Sequence, residues 1–350
     1  MLGAGTNAGQ SVLIGETRIS PDKDQLWRRA VEPVESFLES VARRLSAQVD
    51  SFDPEVAVHA RYALTSQGKQ LRSTLVGLSA GAAGRIDDSV ITVAAIIEMV
   101  HLATLVHDDI MDEASLRRRR PTLAANWGNQ ISVLVGDCLF AHALKLAAGF
   151  PKPDICRAVS AATKTVCSGE ILQTLRRQDK AMTRDEYFRI LQMKTAELFA
   201  LSCDLGAVQG GGTEPHRAAL RRFGLDLGIA YQVYDDCLDL FGTEAAAGKS
   251  LGTDLACGKV TLPVLVVLER ATEETAGEIR RWLGHWDGKH EADLQHLLTQ
   301  HDALAESQSV IQRFLDSSGK ALVRLPPSPS RDALSDLTRF LSQQTSRLGV

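Results

Sequence analysis

Aromatic residues are scarce in this chain: Phe, Trp and Tyr together make up 5% of its 350 residues. Alanine and leucine dominate instead, which favours helices over a β-sandwich. The six cysteines (Cys138, Cys156, Cys167, Cys203, Cys237 and Cys257) include no Cys-x-x-Cys pair. They fall mostly in apolar runs, as free thiols do in a reducing compartment, and no Cys/His set has zinc spacing. Charge of one sign is not in excess. A net charge of −4 gives no general attraction to nucleic acid or to an anionic membrane. The start of the chain lacks a basic segment followed by an apolar core, so residues 1–23 read as a disordered tail rather than a signal peptide. Val90 to Val106, the most apolar stretch, is interrupted by Glu98 and His101 and runs into carboxylates. It reads as too short and too polar for a transmembrane segment. A soluble cytoplasmic protein is expected.

What the chain does have is helical periodicity almost throughout, with no convincing alternating strand. The spacing predicts helices over Asp24–Phe52, Pro54–Gly68, Leu71–Ala83, Asp88–Asp112, Ser132–Gly149, Pro153–Arg177, Arg184–Gln209 and Pro215–Phe241, with five more from Thr261 onward. The breaks carry turn chemistry, such as Pro151 and Pro153, Gly210-Gly211-Gly212 and Pro326-Pro327. No linker is long or polar enough to separate domains. With 44% hydrophobic residues, the economical architecture is one all-α domain over residues 24–350, a many-helix bundle around a central cavity.

Two aspartate clusters of one design stand inside apolar helical segments: Asp108-Asp109-Ile110-Met111-Asp112 and Asp235-Asp236-Cys237-Leu238-Asp239. Residues i and i+4 share a helix face, so Asp108 with Asp112, and Asp235 with Asp239, form two-carboxylate claws. Like charges one turn apart repel, so a compensating cation is expected. All-oxygen ligands select a hard ion, and Mg²⁺ typically keeps some waters and completes its shell on substrate phosphates. One such cluster could be a helix cap or a solvated acidic turn; two copies in apolar surroundings point to magnesium–diphosphate chemistry. An EF-hand is excluded, because neither cluster continues as an Asp-x-Asp-x-Asp-Gly loop ending in Glu.

From Gly68 to Pro263 the chain resembles the trans-polyprenyl diphosphate synthases, head-to-tail prenyltransferases of the isoprenoid synthase fold. The resemblance rests on an ordered set: Gly68-Lys69-Gln70-Leu71-Arg72, Glu98-Met99-Val100-His101, His107 to Asp112, Arg117-Arg118, Gly136-Asp137, Gly169-Glu170-Ile171-Leu172-Gln173, Lys194-Thr195-Ala196, Gln232 to Asp239, Gly248-Lys249 and Gly258 to Pro263. It implies ionisation of an allylic diphosphate, attack by the double bond of isopentenyl diphosphate, and loss of a proton. Asp108, Asp112 and Asp235 are the implied Mg²⁺ ligands, with Asp109, Asp236 and Asp239 as outer or water-bridged partners and Mn²⁺ as a substitute ion. Arg117, Lys194 and Lys259 would stabilise the departing diphosphate, with Thr195, Gln232 and Lys249 in the same region. Lys69, Arg72, His101 and Arg118 would hold the second diphosphate, on isopentenyl diphosphate. Taken alone, His101 would read as a structural histidine; His107 is read as structural, and Gln173 as polar support.

Ala103 and Thr104, just before the first cluster, are small where short-chain relatives carry bulky aromatics. That implies an open tunnel and a long product, in the heptaprenyl to decaprenyl range. The resemblance also implies a homodimer, with peripheral membrane contact for product release. Alternatives are a short-chain (farnesyl or geranylgeranyl) synthase, a type I terpene cyclase and a non-catalytic synthase subunit. A cyclase would replace the second Asp cluster by a mixed Asn/Ser/Glu motif, and a non-catalytic subunit would lose claw or basic residues; this chain does neither. The run Arg117 to Arg120 could be a solvated basic patch, but without overall basic charge it does not indicate nucleic-acid binding. Arg119 stands where a glycine usually follows the arginine pair.

Overall fold

Short capping side chains begin several of the helices. Asp87 accepts hydrogen bonds from the backbone N–H groups of Ser89 (3.0 Å) and Val90 (3.3 Å). Thr122 caps through Ala125 N, and Thr183 with Glu186 forms a capping box. Such caps satisfy backbone donors that have no partner within the helix. The computed structural model describes residues 21–65, 68–118, 120–177, 181–243, 251–284 and 286–349. The expected N-terminal tail therefore lies almost wholly outside the described residues, as do Lys249 and Arg119.

The helices are α1 (Pro21–Val31), α2 (Glu35–Val49), α3 (Pro54–Leu64), α4 (Leu71–Ala83), α5 (Asp88–Met111), α6 (Leu123–Ala148), α7 (Asp154–Leu175), α8 (Arg184–Leu191), α9 (Glu197–Gln209) and α10 (Glu214–Phe241). They continue as α11 (Thr253–Ala256), α12 (Leu262–Arg270), α13 (Glu273–Leu283), α14 (Glu291–Gln300), α15 (Ala303–Leu322) and α16 (Pro329–Thr345). The all-α expectation holds, with local corrections. The predicted Asp24–Phe52 helix is broken by a 3₁₀ turn over Glu32–Val34, where Pro33 cannot donate its backbone nitrogen. The predicted Arg184–Gln209 helix carries a π-turn over Gln192–Ala196. Finally, a two-residue hairpin, β1 (Leu116–Arg117) with β2 (Arg120–Pro121), pairs Leu116 with Pro121 and Arg117 with Arg120. Two-residue strands are too short to show alternation.

Helix α5 packs against α2, α4, α6 and α9, and α10 packs against α9 and α15. Val93, Ile96 and Ile97 of α5, with Phe199 of α9 and Phe223 of α10, are fully buried in one continuous core. Burial of that apolar surface is the main force bringing α5 and α10 into one bundle. By length and composition alone, α5 and α6 are each long and apolar enough to cross a membrane, which corrects the reading of Val90 to Val106 as too short and too polar. In α5 that apolarity faces protein, since 67% of its most apolar window is buried; for α6 the share is 39%.

Candidate active site

The first aspartate cluster occupies the last turn of α5, and the second lies near the end of α10. A helix C-terminus is the negative end of the peptide dipoles, so carboxylates there need nearby cations. In the first cluster the protein supplies them. Asp109 is buried and accepts from Arg117, whose Nε and Nη2 both lie 2.7 Å from Oδ1. Asp112 receives Arg177 Nη2 on Oδ1 at 2.7 Å and Lys259 Nζ on Oδ2 at 2.9 Å. Burial pushes Asp108 up to about 6; Lys194 opposes this, while the neighbouring Glu170 and Asp112 add to it. Asp112 itself lies below the usual carboxylate range, because Lys259, Lys194 and Arg177 outweigh its burial.

Lys194 comes from the π-turn, a feature that often marks functional sites. Its Nζ donates to Gln173 Oε1 at 2.7 Å and pairs closely with Glu170. Gly169 makes this possible: a Cβ there would stand 2.6 Å from the Lys194 backbone nitrogen. The adjacent Thr195 donates to Gln232 Oε1 (2.8 Å), and Gln232 Nε2 donates in turn to Asp236 Oδ1 (2.9 Å). Tyr187 completes the chain, its hydroxyl donating to Asp236 Oδ2 at 2.6 Å. Burial pushes Asp236 up to about 8, with Asp254 and Asp235 adding to the shift.

Asp235 is half-buried, while Asp239 is buried and serves the backbone. Its Oδ2 accepts from Asp254 N (3.1 Å) and its Oδ1 from Thr253 Oγ1 (3.2 Å), at the start of α11. Asp254 lies 3.5 Å from Lys259 Nζ, and Lys259 reaches Asp112. The two clusters are thus linked through Asp239, Asp254, Lys259 and Asp112. Among the described residues, no three His, Cys, Asp or Glu side chains are drawn together as a ready-made metal cage. In the first cluster Asp109 and Asp112 turn to arginine and lysine instead.

The second set of cations gathers beside the first cluster. Arg72 Nη1 lies 2.9 Å from His101 Nε2. Arginine can only donate, so this nitrogen accepts and the ring proton belongs on Nδ1. Burial, reinforced by Arg72, Arg118 and Arg117, holds His101 well below the usual imidazole range, and it is neutral at pH 7. The Arg72 guanidinium also lies over the Phe199 ring, 4.9 Å from its centroid. Arg118 takes a positive φ of 51° and places its guanidinium where a Cβ on Gly68 would be. Lys69 sits over the Trp27 and Phe340 rings, 5.3 and 4.8 Å from their centroids. Glu98 accepts from Ser73 N and Oγ (3.0 and 2.9 Å), fastening the start of α4 to α5.

His107 packs against Gly136 of α6 and contacts Val133 O at 3.1 Å, an orienting contact between helices. Ala103 is wholly buried in a cluster with Ala60, Ala63, Val135 and Leu139, whereas Thr104 is half-buried and donates to His101 O at 2.7 Å. Arg177 was not foreseen. Its spacing offers no repeat or known motif, and only the folded chain brings it to Asp112.

The profile of the polyprenyl synthetase family matches residues 53–301. The chain belongs to this family. It is 33% identical to the octaprenyl diphosphate synthase of Haemophilus influenzae over 302 residues, covering 86% of this chain and 92% of that one. Component 2 of the heptaprenyl diphosphate synthase of Bacillus subtilis is 32% identical and matches over 92% of both chains. A polyprenyl synthase from Caulobacter crescentus, crystallised with calcium and isoprenyl diphosphate, superimposes with a TM-score of 0.86. The identity there is 32%, over 90% of this chain and 97% of that one. The structure is the all-α isoprenoid synthase type I fold.

Proposed function

We propose that this polyprenyl synthetase joins an allylic diphosphate to successive isopentenyl diphosphate units and releases a long-chain, all-trans polyprenyl diphosphate, with Mg²⁺ (or Mn²⁺) as its cofactor. The observation that carries this reading is the run of contacts from Asp239, through the backbone N–H of Asp254 and then the ion pairs of Lys259 with Asp254 and Asp112, which joins two aspartate clusters in one site. The donor chemistry fits a hard divalent ion. The clusters offer carboxylate oxygens only, and Asp108 is pushed up partly by Glu170 and Asp112, crowding that such an ion relieves. Asp108, Asp112 and Asp235 would hold it, with Asp109, Asp236 and Asp239 supporting. When bound, Mg²⁺ supplies charge neutralisation for the departing diphosphate.

The chain's own groups divide the remaining work. Lys194, aimed by Glu170 and Gln173, and Arg117 and Lys259, paired to the first cluster, place positive charge where the leaving group develops negative charge. Thr195 and Gln232 orient that side through their mutual hydrogen bond. Arg72, Arg118 and neutral His101 form a second, metal-poor group suited to the diphosphate that must stay intact, while Lys69 lies over the Trp27 and Phe340 rings. The small side chains at Ala103 and Thr104 support a long product over a farnesyl- or geranylgeranyl-length one.

Trp127, Ile131 and Leu134 of α6 are exposed at 37, 36 and 59%. Beyond the break in α6 at Gly128, Ile131 and Leu134 recur with the exposed Cys138 and Ala141 at i, i+3, i+7 and i+10, a seam that suits a second copy of the chain. The pairing is therefore read as a homodimer. Sedimentation analysis tests this, a monomer at micromolar concentration being the adverse result. The function is tested by incubating the purified chain with isopentenyl diphosphate, a short allylic primer and Mg²⁺, then measuring product length. A ladder ending between heptaprenyl and decaprenyl is expected. No condensation product, or one that stops at farnesyl length, would defeat the reading.

A further inference from the structure

Arg177 is absent from the assignments above, yet it makes one of the most direct contacts in the site. Its Nη2 donates to Asp112 Oδ1 at 2.7 Å and its Nη1 to the carbonyl of Met111 at 3.1 Å. Its Nε is buried without a hydrogen-bond partner. The other oxygen of Asp112 receives Lys259. Both oxygens of one cluster carboxylate are therefore engaged by protein cations that come from opposite sides, one following α7 and one following α11. Glu170 and Gln173, one turn apart near the end of α7, serve Lys194, and Arg177, just past the end of that helix, serves Asp112.

With the other oxygen held by Lys259, which also pairs with Asp254, a divalent ion at Asp112 is left the oxygen that Arg177 engages, and two cations cannot share it without repulsion. A guanidinium displaced from Asp112 would stay beside the first cluster, with a planar donor fork and an unpartnered Nε. That fork matches phosphate oxygens better than any other side chain does. Resting on the proposed diphosphate chemistry of this site, we propose that Arg177 is a further diphosphate-binding residue, seated on Asp112 until a divalent cation takes that carboxylate.

The reading gives opposite signs for two ligands. Removing the guanidinium in Arg177→Gln removes a competitor for Asp112, so Mn²⁺ alone should bind more tightly, by a few-fold. The same variant should bind inorganic diphosphate in saturating Mg²⁺ about tenfold more weakly, the loss of one charge-assisted pair. Titration calorimetry measures both without turnover, and Arg177→Lys, which keeps the charge without the fork, should fall between. If Arg177→Gln weakens Mn²⁺ binding, Arg177 merely orders Asp112 and the proposal is overturned. Unchanged diphosphate affinity overturns it as well. Asp112→Asn serves as the control for the underlying reading: if it leaves Mn²⁺ affinity as in the wild type, the assignment of the first cluster fails, whatever Arg177 does.

Discussion

Lys259 Nζ stands 2.9 Å from Asp112 Oδ2, although 147 residues of sequence separate them. One cation thereby joins the last carboxylate of the first cluster to the segment that Asp239 of the second cluster holds in place. Burial disfavours the charge on Lys259, but Asp254 and Asp112 outweigh it and raise its affinity for a proton, so the ammonium is kept at every working pH.

Replacing Lys259 by Ala leaves Asp112 to Arg177 alone and removes a positive charge from the leaving-group side. Turnover should fall about a hundredfold, with the KM for isopentenyl diphosphate within about twofold of wild type, as expected for an interaction made mainly in the transition state. Rapid-quench measurement of the first condensation reads this directly. An unchanged single-turnover rate would remove Lys259 from the leaving-group role.

Metal dependence follows from the carboxylate-only donor set. Excess chelator should abolish activity, and Mg²⁺ or Mn²⁺ should restore it. Asp108→Ala and Asp235→Ala should lower turnover by orders of magnitude with little loss of thermal stability. For Asp108 the reason is explicit: burial already opposes its charge, so removing it relieves an unfavourable group. Persistent activity in chelator, or a nearly active Asp108→Ala enzyme, would place the chemistry elsewhere.

The buried Asp236 gives a pH signature. Its folded-state affinity for protons is raised from 3.8 to about 8, so between those values the folded chain holds a proton that the unfolded chain does not. Stability contributed by this group is therefore gained as pH falls through 8 and is lost as pH rises. Asp108 acts with the same sign near 6. The lowered His101 and His142 oppose it, but only below their ordinary value of 6.5. In chelator, lowering the pH from 9 to 7 should raise the thermal midpoint, with about 1 kcal/mol from Asp236. Asp236→Asn should flatten that slope; an equal slope in the variant would mean another group titrates.

The acceptor side predicts a different kinetic split. Arg72 touches His101 and Phe199, whereas Arg117, Arg177 and Lys259 pair with the carboxylates of the first cluster. Arg72→Ala should raise the KM for isopentenyl diphosphate about tenfold or more and change the allylic KM little. Equal effects on both substrates would merge the two proposed pockets.

Much of this was legible in the sequence, for a physical reason. Helical periodicity is local, so Leu71–Ala83 and Glu273–Leu283 could be bounded from residue pattern and caps alone. The aspartate claws are also local, being fixed by the i, i+4 rule. What could not be read depends on contacts between distant segments. Asp239 shares a helix face with Asp235, yet its carboxylate is spent on the start of α11. Arg177 has no motif, and its partner lies 65 residues away. The π-turn at Gln192–Ala196 packs closely against Gly169, a contact that no propensity records. Arg119, which stands where a glycine is usual, lies outside the described residues, but the neighbouring Arg118 takes a positive φ.

Ala103 and Thr104 were expected to act together on product length, but their surroundings separate them. Ala103 has no accessible surface and touches a closed cluster that includes Val135 and Leu139. A phenylalanine there must displace those side chains, at a cost of about 1–3 kcal/mol. Thr104 is half-buried and lies one turn before Asp108 on the same face of α5. A ring at this position enters the space through which a chain growing away from the carboxylates must run. Thr104→Phe should therefore stay folded and active, with products shortened towards farnesyl or geranylgeranyl diphosphate. Ala103→Phe should shorten them too, but with a lower thermal midpoint. Chromatography of the dephosphorylated products, beside thermal melts of both variants, checks this. Wild-type product length from a well-folded Thr104→Phe enzyme would show that the growing chain does not pass this face of α5, and would remove the main structural support for a long product.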